Sequence, residues 1–284
     1  VSSGQAGYLA FALRRQGIPV RLIANVGDDL YGHQILDDLA RFGVETHGVK
    51  VEAGRQCGIT VAMVREDGER AFVSELGCLR DFTEKYIESG WEQTQGAAVV
   101  CLVGLFCLPG LELPAAASAL GKARAEGKLT MLDTGWDTNN WPAETLAEMR
   151  GLLRQVSLFM PNWDEARAIT GADSVEEAAR VLQGLCPAQV VVKCGEQGSY
   201  ARFGTESAWV KPRAVTVLDA VGAGDVFNAG FLYGLLRGWP VPACLAWGNT
   251  TASLYISRKQ DRFPGWTEVA FSAREYPELA EILG

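Results

Sequence analysis

The sequence predicts an α/β fold in which a doubly wound, mostly parallel sheet is flanked by helices. Short apolar runs alternate with helix-like segments, and consecutive apolar positions within a run are typical of strands covered on both faces. The runs are VRLIANV at 20–26, AAVVCLV at 97–103, LTML at 129–132, VSLFM at 156–160 and VVVK at 190–193. Helices packed on both faces of such a sheet complete the architecture.

A β-hairpin at 55–77 is predicted to interrupt this alternation. Two stretches of alternating apolar residues flank the dipeptide Asp67-Gly68, which is a typical hairpin turn. A hairpin inserted into an α/β core is either a lid or an interface element, and an interface would make the protein a homodimer. No internal repeat or linker rich in Pro or Gly divides the chain. We therefore expect one domain, 1–284, into which the hairpin is inserted.

Helix signals occur in the later segments. Ser174 is followed three residues later by Glu177, which is a capping-box pattern at the start of SVEEAARVLQGL. The segment VFNAGFLYGLL at 226–236 is almost entirely apolar, yet it contains Gly230 and Gly234, each of which costs roughly 1 kcal/mol relative to alanine inside a helix. The pattern therefore predicts a buried helix with a close neighbour and a rigidly held N-terminus.

The bulk composition limits the classes of partner. The chain has 284 residues, of which 48% are hydrophobic and 21% charged, and it has no apolar run long enough to span a membrane. A net charge of −8 argues against nucleic acid and against anionic membranes as partners. A small anionic ligand remains compatible with this charge, because backbone dipoles and a bound cation act locally.

The cysteines indicate a reducing compartment. Seven cysteines are scattered without a CxxC pair, and several lie inside apolar runs, so we interpret them as reduced core residues of a cytoplasmic protein. The two histidines, His33 and His47, are far from each other and from any cysteine in the sequence, which disfavours a zinc site.

Small and polar residues follow the predicted strands. They are Gly27, Asp28 and Asp29, then Gly104, Asp133, Pro161 and Asn162, and finally Lys193 with Gly195 and Gly198. Ligands of open α/β sheets bind beyond the carboxyl ends of the strands, so we expect a site at this edge. Asp28 and Asp29 are better explained as turn and cap formers than as ligand contacts. Asp133 would either contact a ligand or cap WDTNNW, and Lys193 would pair with either a carboxylate or a phosphate.

The stretch DAVGAGDVFNAGF at 219–231 has the features of an anion site. Gly222, Ala223 and Gly224 leave their backbone N–H groups accessible at the expected start of a helix, where the dipole also favours negative charge. Asp225 is explained either as a catalytic carboxylate or as an ordinary first-turn acidic residue. The phosphate loop GxxxxGK[ST], the dinucleotide fingerprint, and the HRD, GxSxG and HExxH motifs are absent, so a nucleotide site would be of another kind.

Four motifs in the right order resemble those of the ribokinase-like (PfkB) carbohydrate kinase family. They are SGQAGYLAFALRRQG at 3–17 with NVGDDLYG at 25–32, PNWDE at 161–165, VVKCGEQG at 191–198 and DAVGAGDVFNAGF at 219–231. The resemblance spans nearly the whole chain, and its last motif is highly specific. It implies an ATP-dependent kinase that phosphorylates a hydroxyl of a sugar or sugar acid, as fructokinase, ribokinase and 2-keto-3-deoxygluconate kinase do.

The resemblance also implies a role for each matching residue. Asp225 would be the base that deprotonates the sugar hydroxyl, and Gly222, Ala223 and Gly224 would form the anion hole. The remaining implied positions are Asn162 and Glu165 around Mg²⁺; Lys193, Gly195, Gly198 and Asn249 along the nucleotide; Asp219 at a monovalent cation such as K⁺; and Gly4, Tyr8 and Asp133 on the sugar side. The sequence alone leaves a non-catalytic binding regulator and a dinucleotide oxidoreductase as alternatives.

Two differences from the family pattern concern the sugar. Tyr8 stands where the family usually has asparagine, and Ser3 replaces the first of two paired glycines, so the identity of the sugar is open. The family also has an earlier strand that carries a sugar-binding aspartate. Because the sequence begins at Val1, we expect that strand to belong to an upstream segment that is cut off.

Overall fold

A computed structural model describes residues 4–64, 70–186 and 189–284 of the chain. Its strands are β1 (Arg21–Gly27), β2 (Glu45–Glu52), β3 (Ile59–Val64), β4 (Arg70–Glu75), β5 (Val99–Val103), β6 (Leu129–Asp133), β7 (Leu158–Phe159), β8 (Gln189–Lys193), β9 (Ser199–Phe203) and β10 (Glu206–Val210). Its helices are α1 (Gln5–Arg15), α2 (Leu30–Arg41), α3 (Glu84–Ser89), α4 (Leu113–Ala125), α5 (Ala143–Leu153), α6 (Trp163–Thr170), α7 (Val175–Leu185), α8 (Ala223–Leu236), α9 (Val241–Ile256), α10 (Trp266–Ala273) and α11 (Ala280–Leu283).

The main sheet confirms the predicted architecture. Its strands lie in the order β10-β9-β8-β7-β6-β5, with β5 to β8 parallel and β9 and β10 antiparallel at one side. Val191 in β8 packs into the core on one face with α8 and α9, whereas its neighbours Val190 and Val192 pack into the core on the other face. The three central positions of the strand are therefore buried, which explains its continuous apolar run.

Two smaller sheets complete the strands. β1 and β2 form a parallel pair, and β3 and β4 form the predicted antiparallel hairpin. The hairpin presents Val61, Met63 and Val73 to solvent, whereas Thr60 and Ser74 line the main cavity. Its turn dipeptide, Asp67-Gly68, lies outside the described residues.

The predicted close neighbour of α8 is α9. A β-carbon added at Gly230 would lie 2.8 Å from the Cα of Gly248 and 2.6 Å from the Oγ1 of Thr251. The backbones of the two helices can therefore pack this closely because residue 230 has no side chain. This packing buries α8 almost completely and fixes the position of its N-terminus.

The prediction that the cysteines are core residues agrees with the burial of Cys57, Cys78, Cys186 and Cys244. The prediction that they are core residues is wrong for Cys107, which is exposed in the turn that follows β5 and lines the cavity. Within the described part of the chain, no helix combines the length and the apolar character needed to cross a bilayer.

Candidate active site

A cavity of about 2820 Å³ opens at the carboxyl ends of the parallel strands. The predicted site residues that line it come from α1, β6, the start of α6, β8, the start of α8 and α9. They are Gly4, Tyr8, Asp133, Asn162, Glu165, Lys193, Gly195, Gly198, Gly222, Ala223, Gly224, Asp225 and Asn249. The fold therefore brings residues from six separate places in the sequence into one space.

The start of α8 has accessible backbone donors. Gly222 is the N-cap residue and has a φ of 82°, a left-handed conformation that favours glycine. Among the backbone hydrogen bonds of the described residues, the N–H of Ala223 is donated to the carbonyl of Ala220, whereas those of Gly222 and Gly224 have no such acceptor. The expected contribution of Ala223 to an anion hole is therefore wrong, because a turn already uses its donor. Gly222 and Gly224 retain this ability.

Asp225 lies in the first turn of α8 and is 6% exposed. Burial raises the pKa of its carboxyl group well above the usual value, and the nearby charge of Asp133 raises it further, while Lys193 opposes both effects. A carboxylate with a raised pKa is a stronger base, so Asp225 has the electrostatic environment of a proton acceptor.

Lys193, at the end of β8, forms a buried ion pair. Its Nζ lies 2.5 Å from the Oδ2 of Asp133, and the Nδ2 of Asn228 donates to the same oxygen at 2.6 Å. Burial alone would lower the pKa of Lys193, but the charges of Asp133 and Glu165 outweigh that effect and raise it, so the lysine is cationic. The ammonium group lies 3.4 Å from the position of a β-carbon added at Gly224, which places a positive charge beside the anion hole.

Asp133 holds other groups of the site in place. Its Oδ2 accepts from Lys193 and Asn228, and its Oδ1 accepts the N–H of Gly135 at 3.3 Å. The carboxylate partner considered for Lys193 is therefore present, and a contact between Asp133 and a sugar stays a prediction. The loop WDTNNW is capped by Asp137, whose carboxylate accepts the N–H groups of Asn139 and Trp141. Sequence analysis missed Asn228, although it is a polar residue in an otherwise apolar helix.

Asn162 and Glu165 form a complete capping box at the start of α6. The N–H of Glu165 donates to the Oδ1 of Asn162 at 2.8 Å, and the backbone N–H and Nδ2 of Asn162 donate to the two carboxylate oxygens of Glu165 at 2.9 Å each. Burial, reinforced by the charge of Asp133, raises the pKa of Glu165 to about 7. Each oxygen of Glu165 retains a lone pair, so the box can also contact a cation in the cavity.

The predicted nucleotide side surrounds the turn between β8 and β9. Gly195 and Gly198 adopt left-handed conformations there and line the cavity. Asn249 lies behind them with its amide engaged: Nδ2 donates to the carbonyl of Val210 at 2.9 Å, and Oδ1 accepts the hydroxyl of Ser199 at 3.2 Å. Asn249 therefore holds β9 and β10 in place. Sequence analysis missed the partly exposed apolar side chains on this side, Trp209, Val215 and Val217.

The predicted sugar side contains Gly4 and Tyr8, at the start of α1. Tyr8 packs edge-on against Tyr255, and its ring lies 3.1 Å from the position of a β-carbon added at Gly222, so it supports the anion hole. Gln5 lies beside them in the cavity, and its buried Oε1 has no hydrogen-bond partner among the described residues. A buried acceptor of this kind fits a ligand hydroxyl and was missed by sequence analysis.

Asp28 and Asp29 show how the turn before α2 is built. Asp29 is the N-cap of α2: its Oδ1 accepts the N–H of Gly32 at 2.8 Å, and its Oδ2 accepts the N–H of Cys57 at 3.0 Å. The carboxylate of Asp28 lies 3.7 Å from the Nε2 of His33. The cap interpretation therefore holds for Asp29, which also ties α2 to the base of the hairpin.

Asp219 does not line the cavity, and its surroundings do not fit an alkali cation. Arg262 donates to its Oδ2 at 2.6 Å and to its backbone carbonyl at 2.7 Å, while the N–H of Val221 donates to its Oδ1 at 2.9 Å. The oxygens that would coordinate a cation are thus bound to donors, one of them carrying a full positive charge. The predicted monovalent cation at Asp219 is inconsistent with this arrangement.

Comparison with known proteins identifies related sequences and folds. Residues 4–268 match the family described as pfkB family carbohydrate kinase. An uncharacterized sugar kinase of Archaeoglobus fulgidus is 30% identical over 246 residues, covering 87% of this chain and 94% of the relative. Fructoselysine 6-kinase of Escherichia coli K12 is 31% identical over 262 residues, covering 90% and 89%. A crystal structure from E. coli, provisionally described as ribokinase II in complex with ATP and Mg²⁺, has a TM-score of 0.85 at 20% identity, covering 96% and 89%.

Proposed function

Because the chain belongs to the pfkB family of carbohydrate kinases, we propose that it transfers the γ-phosphoryl group of ATP to a hydroxyl of a sugar or sugar acid. The observation that carries this proposal is the position of Asp225. Its buried carboxylate lies at the N-terminus of α8, beside the free donors of Gly222 and Gly224 and the ammonium group of Lys193. Phosphoryl transfer requires alignment, a base and stabilisation of charge, which these residues can supply.

Asp225 accepts the proton of the attacking hydroxyl as its oxygen bonds to the γ-phosphorus, while the bond from that phosphorus to the bridging oxygen breaks and ADP leaves. The N–H groups of Gly222 and Gly224 donate to the oxygens of the transferred group, and Lys193 offsets its negative charge. These donors are held by a buried helix and by the ion pair with Asp133, so little reorganisation is needed during the reaction.

Asn162 and Glu165 are the proposed contacts of Mg²⁺. The capping box fixes them at the cavity wall, and carboxylate and amide oxygens are suitable ligands for this ion. No cluster of three His, Cys, Asp or Glu side chains suited to a metal occurs in the described parts of the chain, which agrees with an ion held mainly by phosphates and water. When bound, Mg²⁺ would neutralise charge on the triphosphate.

The nucleotide is proposed to lie along Gly195 and Gly198, whose lack of side chains leaves the backbone open. Trp209, Val215 and Val217 offer apolar contacts for a base, and Asn249 keeps the strands behind it in place. The similarity in fold to a protein crystallised with ATP and Mg²⁺ supports ATP as the nucleotide.

On the sugar side, Gly4 and Gln5 are the proposed polar contacts, with Tyr8 as an apolar wall. Since one relative is a fructoselysine 6-kinase and others are 5-dehydro-2-deoxygluconokinases, these two substrates should be tested first. An assay that couples ADP formation to NADH oxidation, run with these two compounds, fructose, ribose and 2-keto-3-deoxygluconate, tests the proposal. Release of ADP that depends on one sugar supports it, whereas binding of ATP and sugar without turnover would indicate a non-catalytic regulator.

We also propose a homodimer through the hairpin. Val61, Met63 and Val73 form an exposed apolar strip on the face opposite the cavity, and a second copy would cover it. Light scattering of Val61→Lys should then show a smaller particle than the wild type. A wild-type monomer at high concentration would contradict the dimer. The cysteines inside apolar runs, without a CxxC pair, and the proposed use of ATP support a cytoplasmic location.

A further inference from the structure

The loop before the anion hole is fixed from the C-terminal part of the chain. Arg262 grips Asp219 through both its carboxylate and its backbone carbonyl, at 2.6 and 2.7 Å. Asp219 in turn accepts the N–H of Val221, which directly precedes Gly222. One guanidinium group is therefore two hydrogen bonds away from the backbone that carries the N-cap glycine of α8.

The aromatic wall of this loop contacts the same guanidinium. The Cζ of Arg262 lies 4.0 Å from the centre of the Tyr255 ring, and the hydroxyl of Tyr255 donates to the carbonyl of Val221 at 3.0 Å. A cation at this distance from an aromatic face is stabilised by the ring. Residues 219–222 are therefore held by both Arg262 and Tyr255, and these two side chains contact each other.

Burial distinguishes this contact from an ordinary surface ion pair. The side chain of Arg262 is 9% exposed, although that of Asp219 is 46% exposed. The preceding residue, Asp261, has a φ of 47°, an uncommon left-handed conformation for a residue other than glycine. A planar guanidinium with two parallel donors is well suited to a carboxylate and a carbonyl held side by side.

We infer that Arg262 is a built-in substitute for a monovalent cation in this protein. An alkali ion is bound by replacing its hydration shell with carbonyl and carboxylate oxygens, and here Arg262 already occupies those oxygens with the same unit charge. Arg262 is a positioning residue: it acts on the anion hole through Asp219 and Val221 and does not touch the substrate. The protein should therefore need no K⁺ for stability or for turnover.

The first test measures stability and does not depend on the proposed function. Melting temperatures are compared in 100 mM KCl and in 100 mM tetramethylammonium chloride, whose cation is too large to enter the site. Wild type should melt at the same temperature in both salts. Arg262→Ala frees the oxygens of Asp219, so K⁺ should raise its melting temperature by roughly 2 to 4 °C relative to tetramethylammonium, as expected for a ligand at about ten times its Kd.

Arg258→Ala is the matched control. Arg258 lies on the same C-terminal segment and pairs with Glu268 at 2.8 Å, away from Asp219. This variant should lose some stability without gaining any response to K⁺. A K⁺-dependent rise in the melting temperature of wild type, or an identical response in Arg262→Ala and Arg258→Ala, would overturn the inference.

The second test measures turnover and rests on the proposed function. In tetramethylammonium chloride, Arg262→Ala should lose roughly 10- to 100-fold in kcat with little change in the sugar KM. The reason is that misplaced donors of the anion hole slow the chemical step more than they weaken the binding of the sugar. K⁺ should restore much of this loss in Arg262→Ala and leave wild type unchanged. A folded Arg262→Ala protein that K⁺ neither stabilises nor reactivates would show that Arg262 does not stand in for a cation. If no sugar gives turnover, the melting experiment still decides.

Discussion

The ion pair between Lys193 and Asp133 leads to a strong prediction for stability. Their side chains are 13% and 3% exposed, and the charged atoms lie 2.5 Å apart. At an effective dielectric constant of 20, Coulomb's law gives an attraction of about 7 kcal/mol at that distance, most of which offsets the desolvation of the two charges. Lys193→Met removes the attraction and leaves Asp133 buried with Glu165 and Asp225 nearby. Breaking a buried pair in this way costs about 3 to 5 kcal/mol.

Thermal and urea unfolding of four proteins test this magnitude: wild type, Lys193→Met, Asp133→Asn and the double variant. Lys193→Met should lower the melting temperature by roughly 6 to 20 °C, and the double variant should recover at least about 1 kcal/mol of the loss. Lys50→Met is the control, since that lysine is 62% exposed and its pair with Glu52 should be worth less than about 1 kcal/mol. A loss below about 1 kcal/mol for Lys193→Met, or strict additivity in the double variant, would refute the reasoning.

Further predictions concern two other residues of the site, Gly224 and Glu165. Gly224→Val projects a branched side chain toward Lys193 and should lower kcat by roughly 10² to 10³ with a smaller change in sugar KM; a raised KM with intact kcat would show that the loop only binds. Glu165→Gln should raise the Mg²⁺ concentration needed for half-maximal rate, and an unchanged titration would contradict the assignment. Because the pKa of Glu165 is raised to about 7, its contribution to stability is present below its unfolded value of about 4.5 and is lost as the pH rises through 7. Without nucleotide, urea unfolding should therefore show wild type losing more stability than Glu165→Gln between pH 5 and pH 8, and equal losses would contradict this sign.

The sequence was sufficient to predict the architecture because the patterns that indicate strands and helices involve residues close together in the chain. Continuous apolar runs predicted strands covered on both faces, and Val190 to Val192 confirm this by alternating between two cores. The glycines of α8 predicted a close neighbour, which is α9. The predicted capping box at Ser174 forms its first half, in which the hydroxyl accepts the N–H of Glu177 at 3.3 Å. The complete capping box of Asn162 and Glu165 was not predicted, although the two residues have the required spacing.

The charges inside the site were harder to predict, because they depend on residues far apart in the chain. The sequence indicated that Lys193 has a partner, but it was compatible with either a carboxylate or a phosphate. The fold shows that the partner is Asp133, which lies 60 positions earlier in the chain. Asp219 was assigned to a cation from the family resemblance, and nothing near it in the sequence shows that Arg262, 43 positions later, binds its oxygens. The three small residues at the start of α8 also differ in backbone conformation, because Gly222 is left-handed whereas Gly224 lies within the helix.

The central claim, that Asp225 is the base of a phosphoryl transfer, is tested most directly by Asp225→Asn. Asparagine keeps the size of the side chain but cannot accept the proton, so kcat should fall by roughly 10² to 10⁴. The melting temperature should stay the same or rise, because the variant removes a carboxylate whose pKa is raised by burial and, further, by the charge of Asp133. Single-turnover measurement of ADP formation with saturating sugar, alongside thermal unfolding of the same preparation, gives both quantities. A large loss of rate in a fully folded variant is the predicted result, and turnover close to that of the wild type would contradict the account.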